Sequence, residues 1–184
     1  MRPTNDTLQI YQTQPAVLSS PFSLFLYLDP CLFLRFWLQL GRALGGIQFI
    51  DGNTGLKVYI LRANLPTDTP LAEVPKKWVG ESVFNTAGTI AKEGVEIDAY
   101  KVTSATEVEA PEGAAAKRRR FALKYTVITP ANQRATDRRG FADVYEVEGV
   151  AYILFTSAGA TKWEGGEKDR CERIAESFYI SANA

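Results

Sequence analysis

The chain has 184 residues, 46% of them hydrophobic and 23% charged, the size and make-up of one globular domain able to bury a core without metals or disulfides. Lys+Arg and Asp+Glu each number 21, so no net field draws the protein to nucleic acid or to an anionic membrane, and an electrostatic partner must meet a local patch. Histidine is absent, which excludes Ser/His/Asp and Cys/His machinery and removes the commonest metal ligand.

Residues 1–45 form an atypical apolar segment. Phe22 to Phe36 carries Leu, Phe or Tyr at nearly every position, interrupted by Asp29, Pro30 and Arg35. A central Asp-Pro pair makes a lipid-exposed span costly. Arg2 is the only early base, and Arg42-Ala43-Leu44-Gly45-Gly46 is a loose approximation to a cleavage site. The segment reads as a targeting remnant, an anchor that packs on a partner, or altered sequence. Cys31 lies in it and Cys171 near the other end, with no second pair to make a disulfide framework or a zinc spacing, so their redox state stays open.

From Gly46 the pattern is regular. Ile47 and Phe49, then Leu56, Val58 and Ile60, alternate with polar residues around Asp51-Gly52-Asn53-Thr54-Gly55, which predicts a hairpin. Asn64 to Pro75 is rich in Pro, Thr and Asp and reads as a loop. Lys76 to Ile90 carries Trp78, Val79, Val83, Phe84 and Ala87 near helical spacing. Glu96 to Val108 alternates, Ala110 to Lys117 is a small-residue loop, and Arg120 to Thr129 places Phe121, Leu123, Tyr125 and Val127 on one strand face. Strands Gly140 to Val147 and Val150 to Ser157 flank the two-residue turn Glu148-Gly149. A closing helix over Gly165 to Ser177 puts Cys171, Ile174, Ala175 and Phe178 on one stripe that must cover the sheet. Hairpin-linked strands with one interior and one terminal helix predict an α+β fold with an antiparallel sheet.

The C-terminal third carries the hairpin strand Val150-Ala151-Tyr152-Ile153-Leu154, then Ser157-Ala158-Gly159, the Lys162-Trp163 corner and a helix ending in Glu176-Ser177-Phe178. This order resembles the end of the PsbP family. Ile47-Gln48-Phe49-Ile50-Asp51 leading into Leu56-Lys57-Val58-Tyr59-Ile60, and Trp78-Val79-Gly80-Glu81-Ser82, are similar to its earlier strands and its first long helix. The resemblance covers Gly46 to Ile180 and makes residues 46–184 a PsbP-like domain. It implies an antiparallel sheet sandwiched between helices and a place in the thylakoid lumen of the chloroplast or its cyanobacterial equivalent. It also implies an extrinsic, peripheral role in photosynthesis. That role is stabilisation of the oxygen-evolving complex of photosystem II or photosystem assembly, with photosystem membrane subunits and other lumenal proteins as partners. Calcium and chloride would be associated through the photosystem rather than held as cofactors. Where the family has an aromatic strand and a Pro-x-x-Trp turn, this chain has the apolar stretch Leu18 to Leu44, so the first hairpin is expected to be missing or replaced.

The densest charge run, Lys117-Arg118-Arg119-Arg120, together with Arg138, Arg139 and Lys162, is the candidate partner-binding set. Pairing of the two strands would put the run and the Arg138-Arg139 pair at opposite ends. The resemblance implies that Trp163 packs between sheet and closing helix while Lys162 is exposed; Ile174 and Phe178 are the other structural candidates. The carboxylates Asp51, Asp98, Glu107, Glu109, Asp143, Glu146 and Glu148 lack a calcium-loop or paired-acid context, so no metal ligand and no catalytic residue is assigned and no enzyme is expected. The alternative is a small-ligand module with an apolar pocket lined by Tyr100, Phe121, Tyr125 and Tyr152.

Overall fold

The computed structural model describes residues 22–26, 36–39, 47–67, 69–84, 96–109, 117–129, 134–147 and 149–182. The proposed continuation of the first helix to Ile90, the loop over 110–116, Cys31 and Glu148 lie outside these residues.

In chain order the strands are β1 (Phe22–Leu26), β2 (Phe36–Gln39), β3 (Ile47–Asp51), β4 (Lys57–Asn64), β5 (Glu96–Val108), β6 (Arg118–Thr129), β7 (Arg134–Val147), β8 (Val150–Gly159) and β9 (Phe178–Ala182). Between β4 and β5 come a short 3-10 turn, Leu71–Glu73, and helix α1 (Lys76–Phe84). Between β8 and β9 run α2 (Ala160–Lys162), a π-helical turn over Trp163–Glu167, and α3 (Lys168–Ser177). Seven strands form one antiparallel sheet in the order β2-β3-β4-β8-β7-β6-β5, and β1 pairs antiparallel with β9.

The α+β fold follows from the alternation of side chains along the central strands. Odd-numbered Phe121, Leu123 and Tyr125 of β6 join Ala142 and Val144 of β7 and Ile153 and Phe155 of β8 on one face. Leu71, Val74, Val79, Val83 and Phe84, from the 3-10 turn and α1, close that face. The opposite parity, Phe141, Tyr145 and Val147 of β7 with Leu154 and Ala158 of β8, faces Trp163, Cys171, Ile174, Ala175, Phe178 and Ile180. The sheet is therefore covered on both sides, each fully buried large apolar side chain contributing about 1.5–3 kcal/mol relative to exposure.

Two differences from the expected elements have physical causes. Strands β6 and β7 are longer than their apolar stretches, because the ladder continues through polar residues from Arg118↔Tyr145 to Thr129↔Arg134. The closing helix begins at Lys168 rather than Gly165, since Gly166 takes φ +109°, a left-handed value that breaks helical geometry and bends the chain after Trp163. Where the first hairpin was expected to be missing or replaced, β1 and β2 do not pair with each other: they go to β9 and β3. No helix among the described residues is long and apolar enough to cross a membrane.

Gly140 of β7 lies opposite Ser157 of β8. A Cβ there would overlap the Thr156 carbonyl oxygen and approach Phe155 Cε2 to 2.9 Å. Backbone cannot swing aside as a flexible side chain can, so Gly140→Ala is expected to destabilise the fold by about 1–3 kcal/mol. A fall in the urea unfolding midpoint without a change in slope measures it.

Candidate functional site

Alternation divides the cationic run between the two faces. Arg118 and Arg120 lie opposite Tyr145 and Asp143, on the α3 side, while Arg119 lies on the α1 side with Phe121. Arg120 donates from Nε to Asp143 Oδ1 at 2.8 Å and from Nη2 to Oδ2 at 3.0 Å, a bidentate pair. Its guanidinium carbon stands 5.1 Å from the centre of the Phe141 ring. Arg118, 5% exposed, brings Nε to 3.5 Å from Asp143 Oδ2 and donates from Nη1 to the Ala175 carbonyl at 3.3 Å. Asp143 itself is fully buried. Arg119 donates from Nη1 to the carbonyls of Leu71 and Val74, both at 3.0 Å, closing the 3-10 turn over the sheet.

Arg138 is also tied inward. It donates from Nε to the Tyr125 hydroxyl at 2.9 Å and from Nη2 to the carbonyls of Gly55 and Ser157 at 2.8 and 3.1 Å. Lys162 is exposed, yet its ammonium donates to the carbonyls of Asn53 and Thr54 at 3.2 and 2.9 Å, binding the corner to the β3–β4 turn. Arg139 pairs with Glu164, and Lys117 is exposed. The candidate partner-binding set Lys117, Arg118, Arg119, Arg120, Arg138, Arg139 and Lys162 is thus distributed between interior and surface. Arg118, Arg119, Arg120 and Arg138 direct their guanidinium groups to partners within the fold, and the strand register sets Arg138 of β7 opposite Tyr125, away from Arg118 at the start of β6.

Trp163 is 7% exposed and its ring lies 5.0 Å from that of Phe141, between the sheet and α3, in one cluster with Ile174 and Phe178. The aromatic pocket of Tyr100, Phe121, Tyr125 and Tyr152 does not assemble. Phe121 and Tyr125 pack in the α1-side core, whereas Tyr152, of opposite parity on β8, packs on the α3 side.

The β3–β4 turn is a second polar node. Asp51, buried at the end of β3, accepts from the Asn53 amide at 2.9 Å and the Thr54 hydroxyl at 2.8 Å, and Arg170 of α3 approaches its Oδ2 to 3.2 Å. Burial pushes the Asp51 carboxyl up, but the Thr54 and Asn53 hydrogen bonds and the Arg170 charge outweigh it and hold the group below its usual value of 3.8. A depressed folded value means that this stabilisation is complete above the unfolded carboxylate range and is lost as pH falls through the folded value. The acid limb of the stability–pH curve, below about pH 4, is therefore expected to be shallower in Asp51→Asn than in the parent, as measured by denaturant midpoints at successive pH values.

Among the described residues no group of three or more His, Cys, Asp or Glu side chains converges as a metal site. The open surface feature is a shallow groove of about 350 Å³ across β5, β6 and β7, lined by Ala99, Lys101, Lys124, Thr126, Asp137 and Arg139 among others. Lys101 and Lys124 were not singled out from the sequence. Their signal was parity, since each sits at a solvent-side position of an alternating strand, but register alone joins them.

No family model and no curated protein matches the chain. Among solved structures, the Ran-binding protein Mog1p of Saccharomyces cerevisiae is 7% identical, with TM-score 0.49, over 80% of this chain and 86% of its own. A Pseudomonas aeruginosa protein of unknown function is 10% identical, with TM-score 0.44, over 85% and 95%. Cyanobacterial PsbP from Synechocystis is 16% identical, with TM-score 0.51, over 91% of this chain and 98% of its own. An antiparallel sheet packed between helices, with a C-terminal helix over one face, is thus a fold this chain shares with cyanobacterial PsbP.

Proposed function

We propose that the protein is a non-catalytic extrinsic protein of the thylakoid lumen, peripheral to the membrane, that acts by binding a photosystem. Photosystem II is the first candidate, through stabilisation of the oxygen-evolving complex or through assembly. The observation that carries this reading is the fold shared with cyanobacterial PsbP over nearly the whole of that protein. The ordered resemblance of Ile47 to Phe178 to the same family, down to the Lys162-Trp163 corner, supports it. The partners are photosystem membrane subunits and other lumenal proteins, and any calcium or chloride dependence arises through the photosystem.

Thylakoids from the source organism, washed with increasing salt and probed in pellet and wash, test the reading. Release from the lumenal face by salt is expected. Recovery of the protein in the cytosol, or never with thylakoids, overturns it.

A further inference from the structure

We propose that the groove across β5, β6 and β7 is a docking site for an extended acidic segment of a partner protein, with Lys101, Lys124 and Arg139 as its anchors. Register places these residues in one row: Lys101 lies opposite Lys124, and Lys124 opposite Arg139. Directly opposed side chains of an antiparallel pair share a face, with Cβ atoms about 4.5–5.5 Å apart, and like charges there repel. Arg139 has Glu164 as a partner, while among the described residues Lys101 and Lys124 have no carboxylate in ion-pair contact. Three cations are therefore lined up against their own repulsion with two carboxylates near them, Glu164 and Asp137. In a chain that is neutral as a whole, the row is a local excess of positive charge that these two carboxylates offset only in part.

The row has room beside it. Ala99 and Thr126 supply small side chains in the groove, and Ala160 of α2 also lines it. Asp137 is held by the Thr126 hydroxyl at 2.8 Å. The sheet ends at β5, so the groove opens on its edge. A segment lying across the strands would meet one cation per strand at a spacing of about 4.8 Å, against about 6.6–7 Å between alternate side chains of an extended chain. Glu or Asp side chains, being flexible, span that difference. Nucleic acid is disfavoured because the chain's charge is balanced and, among the described residues, the exposed ring of Tyr100 packs on α1 rather than beside the row.

This deepens the binding role proposed above by naming the face and the chemistry of the partner, and its test is independent of where the protein resides. The full chain is titrated with a fluorescent oligo-glutamate peptide, followed by anisotropy and by amide NMR shifts. Binding that weakens with salt, with shifts confined to 99–101, 124–126 and 137–139, is expected. The double variant Lys101→Gln/Lys124→Gln is expected to bind about tenfold more weakly while its unfolding midpoint stays level or rises, because repulsion is relieved. The control Lys77→Gln/Lys168→Gln, on the two helices, is expected to bind as the parent does. Undiminished binding by the Lys101/Lys124 variant, shifts centred on another face, or tighter binding of a single-stranded oligonucleotide of equal charge overturns the proposal.

Discussion

Asp143→Ala is expected to destabilise the protein by about 3–5 kcal/mol, because it removes the buried carboxylate that both Arg118 and Arg120 face. In the parent, both oxygens of Asp143 are taken by Arg120, and Arg118 stands 3.5 Å from one of them. All three side chains are withdrawn from water: Asp143 is 0% exposed, Arg118 2% and Arg120 13%. Their mutual attraction offsets the desolvation of the charges only while the set is complete. The comparison that isolates this cause is a triple replacement of Arg118, Arg120 and Asp143 by apolar residues of similar volume. It is expected to cost far less than the single change, since no orphan charge remains. Chemical denaturation followed by far-UV circular dichroism reads both; a loss below about 1 kcal/mol in Asp143→Ala would mean that water reaches the arginines.

Phe178→Ala is expected to cost a similar amount, about 3–5 kcal/mol, by a different route. Phe178 is fully buried at the end of α3, its ring edge-on to Tyr145 at 5.2 Å, and its carbonyl accepts the Tyr145 hydroxyl at 2.9 Å. Removing the ring opens a cavity where the helix turns into β9, so the helix loses its anchorage to the sheet. Cys171 reports that event. Its thiol, buried in the same cluster, is pushed up to about 12 by burial, so it carries little thiolate and reacts slowly with disulfide reagents in the native state. In Phe178→Ala its labelling rate under native conditions is expected to rise together with the fall in stability. A fall in stability with unchanged labelling would place the damage elsewhere than under α3.

How the charges are used shows where sequence reading stops. Lys117-Arg118-Arg119-Arg120 looked like a surface run because four consecutive cations carry no apolar pattern of their own. Extending the period-2 alternation of β6 backwards from Phe121 already separates Arg119 from Arg118 and Arg120. Asp143, on the same parity as Phe141, Tyr145 and Val147, was the signal for a buried partner. What could not be read is that Asp143 lies beside Arg120, a relation between residues 23 positions apart that the register of β6 on β7 sets. The same holds for Lys162, whose carbonyl partners are Asn53 and Thr54.

Local pattern was enough for the class of fold, the hairpin turns at Gly55 and Gly149, the interior helix and the stripe of Cys171, Ile174, Ala175 and Phe178 that covers the sheet. These depend on the alternation of apolar residues along a few consecutive positions, which the chain writes out in order. Tertiary structure alone decided which arginines are interior, which turn the Lys162 corner holds, and that Lys101, Lys124 and Arg139 stand in one row. The physical reason is that charge is not self-describing. A lysine or arginine becomes a tie, a buried pair or a free anchor according to what a distant strand places opposite it, and only register supplies that neighbour.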